Sequence, residues 1–331
     1  MDVSLHLGAH RTGVTTFQHF LRRNAPSLRR MGLAAWLAPD TRRGMMSALV
    51  RRPEAVSLID ERVGRRSLRA MRLRQERLAR HGVRRLIVSE PAMIGMPAQC
   101  LVQERLYPWP GERLGRFLPA FEDRCDRIVL TIRAYDRFWA SLMAQAVVCG
   151  HPLPSRALLD RLVLQPLRWR RLVEEVSACF PQAEILVLPF ERLAGMPERQ
   201  LAAMTGRPLP LGVAGHMAGV RDWHRRSPST PHLGRVLSDH SGSLPSPLSV
   251  DVTGRWQPFD DVQRAAFAEH YAEDLAWLRS GANGRATLIA TADANELRPV
   301  DRTEGRQPDD RKTATTGVGG TGHEGAAWPL S

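Results

Sequence analysis

Residues 9–18, AHRTGVTTFQ, set an arginine, three threonines and a glycine between a short apolar stretch and a run in which Phe17, Phe20 and Leu21 recur at helical spacing. A strand, a glycine loop and a helix in that order aim backbone N–H groups and the positive end of a helix dipole at an anion. Phosphate or sulfate suits such a turn. The triphosphate-gripping pattern G-x-x-x-x-G-K-[ST] is not met, because Gly8 and Gly13 are correctly spaced but Val14 stands where the lysine belongs. A second basic turn follows a later apolar run: RAYDRFWAS, residues 133–141, puts Arg133 at a strand end and Ser141 inside the next helix. Two anion-binding elements at the ends of two parallel strands are a more specific signal than either alone.

These residues need a scaffold, and the chain supplies it in alternation. GLAAWLAP, residues 32–39, reads as a short second strand. VRRLIVSEP, residues 83–91, is a buried strand that stops at Pro91 and presents Ser89 and Glu90 at its C-terminal end. Residues 126–148 repeat the opening logic with a strand over 128–132, a turn over 133–136 and a helix. AEILVLPFERL, residues 183–193, adds another strand and turn. Helices are expected over 112–124 and 166–179, and an amphipathic helix with an acidic start, Asp260 and Asp261, over 259–278. Most of the basic region over 41–81 reads as solvated surface helix rather than as a polyanion groove. Strands alternating with helices imply an α/β fold with a central parallel sheet flanked by helices and ligands at the C-terminal strand ends. One domain is expected over residues 1–280, with a loop-rich segment over 206–258 crowded with Pro, Gly and Ser. Residues 281–331 are polar, rich in glycine and threonine, and have the composition of a disordered tail.

The net charge of +13 comes almost wholly from arginine, Lys312 being the single lysine. Net charge speaks to partners rather than to fold. The aromatic residues are not interleaved with the basic ones as in a nucleic-acid interface, so no specific nucleic-acid partner is expected. Cys100, Cys125, Cys149 and Cys179 form no C-x-x-C pair and read as free thiols. His6 and His10 are four apart on a strand running into a loop, where they face differently, so no metal is expected there. No run approaches the roughly 18 apolar residues of a membrane span, and no basic n-region precedes an apolar core; a cytoplasmic protein is expected.

The two loops together resemble those of the PAPS-dependent sulfotransferase family, which has a K-[ST]-G-T-T loop after the first strand and an R-x7-S element after a later one. LHLGAHRTG at the first strand, VSE at 88–90, LPFERL at 188–193 and HYAEDLAWL at 270–278 are similar to the bacterial branch of that family. Arg11 replaces the family's lysine and Val14 its first threonine. The resemblance implies a P-loop-like architecture, no metal, and PAPS (3′-phosphoadenosine 5′-phosphosulfate) as sulfuryl donor. Arg11, Thr12, Gly13, Val14, Thr15 and Thr16 would hold its 5′-phosphosulfate, and Arg133 and Ser141 its 3′-phosphate. The implied reaction transfers the sulfuryl group to a hydroxyl or amine of a saccharide or small-metabolite acceptor. Little covalent chemistry is then asked of the protein, by analogy with phosphoryl transfer, and Arg11 is the candidate for stabilising the moving charge. Glu90 is the first choice for general base, from its place at a strand end, and His10 the rival. A P-loop kinase or NTPase, or a non-catalytic polyanion binder on the same fold, are the competing readings.

Overall fold

The computed structural model describes residues 1–289 apart from 167, 194, 208–216, 242–247 and 249–253. Six parallel strands make one sheet in the order β2-β3-β1-β4-β5-β6. They are β1 (Asp2–His6), β2 (Leu33–Leu37), β3 (Arg85–Ser89), β4 (Cys125–Ile132), β5 (Glu184–Pro189) and β6 (Thr287–Leu288). Both faces are covered. Val3, Leu5, Leu86, Val88, Ile128 and Leu130 point into one core, and Ile87, Val129, Leu186 and Leu188 into the other. That alternation is the period of two that a doubly buried strand requires, and it explains the continuous apolar runs of the sequence.

Helix α1 (Val14–Arg23) lays Phe17, Phe20 and Leu21 on the second face. Its last turn carries Arg22 and Arg23, which suit the negative end of the helix dipole. The short α2 (Ala38–Arg42) follows β2 directly. In the basic region the long helix α3 (Leu58–Arg80) begins only at residue 58, where Ser57 and Asp60 form a reciprocal capping box. Helix α4 (Tyr135–Val148) follows β4, α5 (Trp169–Cys179) precedes β5, and α6 (Asp261–Arg279) starts on the Asp260 side chain, which accepts from Gln263 N–H at 2.8 Å.

Three local expectations change. Residues 112–124 hold two short helices, Pro110–Gly115 and Leu118–Phe121, because Pro119 starts a new turn there. The loop-rich segment contains a helix, Thr230–Ser241. β6 lies just beyond residue 280 and pairs with β5 at Leu186↔Thr287 and Val187↔Leu288, so the sheet reaches past the expected boundary. The tail expected beyond it lies outside the described residues from 290 onward.

The strand order fixes where a ligand would sit. From β1 the chain crosses toward β2, and from β4 it crosses the opposite way toward β5, although β1 and β4 are neighbours. The C-terminal ends of β1 and β4 therefore flank the switch point of the sheet, the crevice in which open α/β folds bind ligands.

Candidate functional site

The loop leaving β1 stays bonded to β4 beyond the strand itself. Leu7 N–H donates to Val129 O at 2.9 Å and Ala9 N–H to Thr131 O at 3.0 Å, which carries the chain to the end of β4. Gly8 is required there, since a Cβ would lie 2.8 Å from both His6 Nε2 and Val14 Cγ2. The turn then closes through two left-handed residues, Arg11 (φ 66°) and Gly13 (φ 79°), the second being the N-cap of α1. Glycine adopts that conformation freely, whereas an arginine is strained in it. Beyond it, the N–H groups of the first helical turn have no carbonyl to pair with inside the helix.

Arg11, Arg133 and Ser141, drawn from two separate loops, meet at this point. Arg11 Nε donates to Ser141 Oγ at 2.9 Å, and Arg133 Nη1 donates to the Arg11 carbonyl at 2.9 Å. Among the described residues, neither guanidinium has a carboxylate at ion-pairing distance; Glu191 acts on Arg133 only from farther away. Burial first, then the Arg225 and Arg255 charges, lowers Arg11 to about 10. Burial likewise brings Arg133 to about 10, with Glu191 opposing and Arg11 adding to the shift. Both remain cationic at neutral pH. A buried and a half-buried cation beside a helix N-terminus, with no carboxylate in contact among the described residues, make an anion site in electrostatic terms.

The second loop is rigidly backed. Arg133 has its carbonyl held by Trp169 Nε1 at 2.8 Å, and its guanidinium lies 4.5 Å from the centre of the Phe190 ring. Tyr135 accepts from Trp169 N–H at 2.7 Å and donates its hydroxyl to Asp274. The LPFERL and HYAEDLAWL stretches of β5 and α6 thus bear on the site through Phe190 and Asp274.

The threonines serve differently from the expectation. Thr12 Oγ1 donates to Ala9 O at 2.5 Å, closing the turn. Thr16 Oγ1 accepts from His224 N–H at 3.0 Å. The Thr12 and Thr16 hydroxyls are engaged within the protein and Val14 packs under Gly8, which leaves the backbone N–H groups, the half-buried Thr15 and Arg11 to meet a ligand.

Glu90 does not stand open at the strand end, where the sequence placed it. It is fully buried; Arg42 Nε and Nη2 both reach its Oε1 at 2.8 Å, Ala92 N–H donates to the same oxygen at 2.9 Å, and Thr41 Oγ1 donates to Oε2 at 2.7 Å. The carboxylate anchors α2 to the end of β3. His10 has its N–H bonded to the Tyr107 hydroxyl at 2.6 Å and its Nδ1 at 3.0 Å from the same oxygen, while its buried Nε2 has no partner. Burial, followed by the Arg42 and Arg11 charges, holds the His10 pKa well below that of an ordinary imidazole.

Several contributors escaped the sequence reading. Residues 217–227 form a strap along α1 that ends with Ser227, whose hydroxyl lies 2.5 Å from Ser141 Oγ and within 3.4 Å of Arg11 Nη2. Nothing in the spacing of the Pro-, Gly- and Ser-rich segment singles out this serine. Arg42 and Tyr107 come from segments read as surface or left unread.

Among the described residues, no three His, Cys, Asp or Glu side chains gather as a metal site would need, and no helix is long and apolar enough to cross a membrane. No family model matches the chain, nor does a curated protein or a solved structure.

Proposed function

We propose that this protein transfers a sulfuryl group from PAPS to a hydroxyl or amine acceptor. The observation that carries the proposal is the meeting of Arg11, Arg133 and Ser141 at the switch point, with two guanidiniums that have no carboxylate at ion-pairing distance among the described residues. The orphaned, buried Arg133 Nε is a further donor that a phosphate would satisfy. PAPS supplies the sulfuryl group, its sulfur exchanging the 5′-phosphate oxygen for the acceptor's oxygen or nitrogen and leaving the electron pair on the phosphate.

Arg11 and the first-turn N–H groups of α1 bind the 5′ end and stabilise the charge that moves during transfer. Arg133 and Ser141 bind the 3′-phosphate. In the resting protein, Ser141 and Ser227 occupy Arg11, and both hydroxyls must yield it to the ligand. For Glu90 to take the acceptor's proton, Arg42, about a third exposed, must turn from it toward the bound anion, while Ala92 N–H and the Thr41 hydroxyl keep the carboxylate in place.

A titration of PAP, AMP and ATP without Mg²⁺ tests the proposal. PAP is expected to bind best. Tight Mg²⁺-dependent binding of ATP with no preference for PAP over AMP would replace it with the kinase reading, and equal, weak binding of all three with the polyanion binder.

Glu90→Gln isolates the base. The amide keeps the shape and most hydrogen bonds but cannot accept the proton, so turnover is expected to fall by about 10²- to 10⁴-fold with no loss of PAP affinity. Melting temperature should fall modestly, since Arg42 loses its counter-charge but keeps contact with water. Normal turnover of this variant would leave Glu90 as an anchor only.

A further inference from the structure

We propose that Tyr107 is a positioning residue that locks His10 into the tautomer with its proton on Nε2, so that His10 serves the bound anion as a hydrogen-bond donor and not as a base. The identity of that anion rests on the sulfotransferase reading; the lock itself does not.

The argument is one of counting protons. Among the described residues, the Tyr107 hydroxyl meets two groups, the backbone N–H of His10 at 2.6 Å and His10 Nδ1 at 3.0 Å. The backbone N–H can only donate, so a phenol lone pair receives it. The phenol proton then has a single acceptor within reach, Nδ1. An Nδ1 that accepts leaves the ring proton on Nε2. In the opposite tautomer two donors would converge on the phenol oxygen and orphan its proton in a side chain only 1% exposed. The Nε2–H tautomer leaves one buried group unpaired in the ligand-free protein, Nε2–H itself, whereas the opposite tautomer leaves two, the phenol proton and the Nε2 lone pair; the balance favours Nε2–H, and an anion at Nε2 satisfies its remaining donor.

The backbone carrying Tyr107 is strained in a manner that suits delivery of one atom to one place. Glu104, Tyr107 and Trp109 all have positive φ (52°, 42° and 52°), although none is glycine. Surrounding contacts hold the segment in that shape. Arg161 pairs with both Glu104 oxygens at 2.5 and 2.7 Å, Arg105 N–H donates to Cys100 O at 2.9 Å, and the Tyr107 ring packs against Phe138 and Trp169. Backbone strain that the surroundings enforce concentrates at functional positions.

His10 sits beside Arg11 in the anion loop, and Nε2 is its one buried, unpartnered atom. The ring stays neutral at pH 7 under burial and the nearby Arg42 and Arg11 charges. A neutral donor that feels the Arg42 and Arg11 charges can bond an anionic oxygen without adding a further cation to the cluster.

Long-range ¹H–¹⁵N correlation spectra of the ligand-free protein at pH 7 read the tautomer directly, with the His10 ring signals assigned by their loss in His10→Asn. The expected result is Nε2–H in the wild type, collapsing to a mixture in Tyr107→Phe, and a shift of the Nε2 signal when PAP is added. An Nδ1–H tautomer in the wild type would overturn the proposal and return His10 to the role of base. The wild-type spectrum decides this even if Tyr107→Phe does not fold. An Nε2–H signal that moves with inorganic sulfate while PAP fails to bind would uphold the donor and remove the sulfotransferase reading instead. An Nε2–H signal that no anion moves would overturn the donor role.

Discussion

Arg11→Ala is expected to lower sulfuryl transfer by roughly 10²- to 10³-fold, the usual loss when one preorganised donor to a developing charge is removed. The fold should survive, because Arg11 lies in a loop and contributes no apolar surface to either core. The backbone strain at φ 66° stays, since alanine tolerates that conformation no better, while a partly buried charge is removed. The measurement is a rate at saturating PAPS with an identified acceptor, accompanied by a melting curve. Near-normal turnover would take Arg11 out of the mechanism. Arg11→Lys is the informative companion: the Arg11 fork reaches Ser141 through Nε and Ser227 through Nη2, and an ammonium cannot reproduce that geometry. A loss of rate in the lysine variant would mean that the site is built around the guanidinium. A gain would mean that arginine stands there because the chain uses almost no lysine.

Arg133→Ala is expected to abolish the preference for PAP over AMP. A hydrogen bond to a charged group is worth about 1.5 to 3 kcal/mol, so PAP affinity should fall more than tenfold while AMP affinity changes little. AMP is a necessary control here, because Arg133 also bonds the Arg11 carbonyl and its loss could loosen the first loop. Parallel losses for both nucleotides, measured by calorimetry, would place Arg133 as a support of that loop and leave the 3′-phosphate without its proposed partner.

The sheet and the two loops were legible because each is encoded over a few adjacent residues. Leu86, Ile87 and Val88 form an apolar run with Pro91 after it, and the run occupies both cores as a parallel strand must. Gly8, Gly13, Arg133 and Ser141 were found by their spacing from strand ends, and the sheet order brings them to one crevice. What escaped depends on partners far away in the chain. Glu90 looked available because its partner Arg42 is 48 residues earlier, inside a stretch that read as solvated surface. Tyr107 meets His10 across 97 residues, from a segment whose backbone departs from every regular period. The strap was opaque for the same reason: turns rich in Pro, Gly and Ser announce irregularity and say nothing of where it lies.

That strap has a bearing on the pace of the protein. It is fastened at the far end of α1 by paired bonds between Asn24 and Ala218, at 2.8 and 2.9 Å, and by Arg23 on Asp222. Nearer the loop it is held by His224 on Thr16 and by the stack of His19 against His224, with ring centres 3.9 Å apart. Its tip places Ser227 on Ser141 and Arg11, so a nucleotide bound as proposed would have to displace the Ser227 hydroxyl from both. Under the proposed reaction, product release would wait on that displacement, and a faster chemical step would bring no gain in throughput once egress became the slower event.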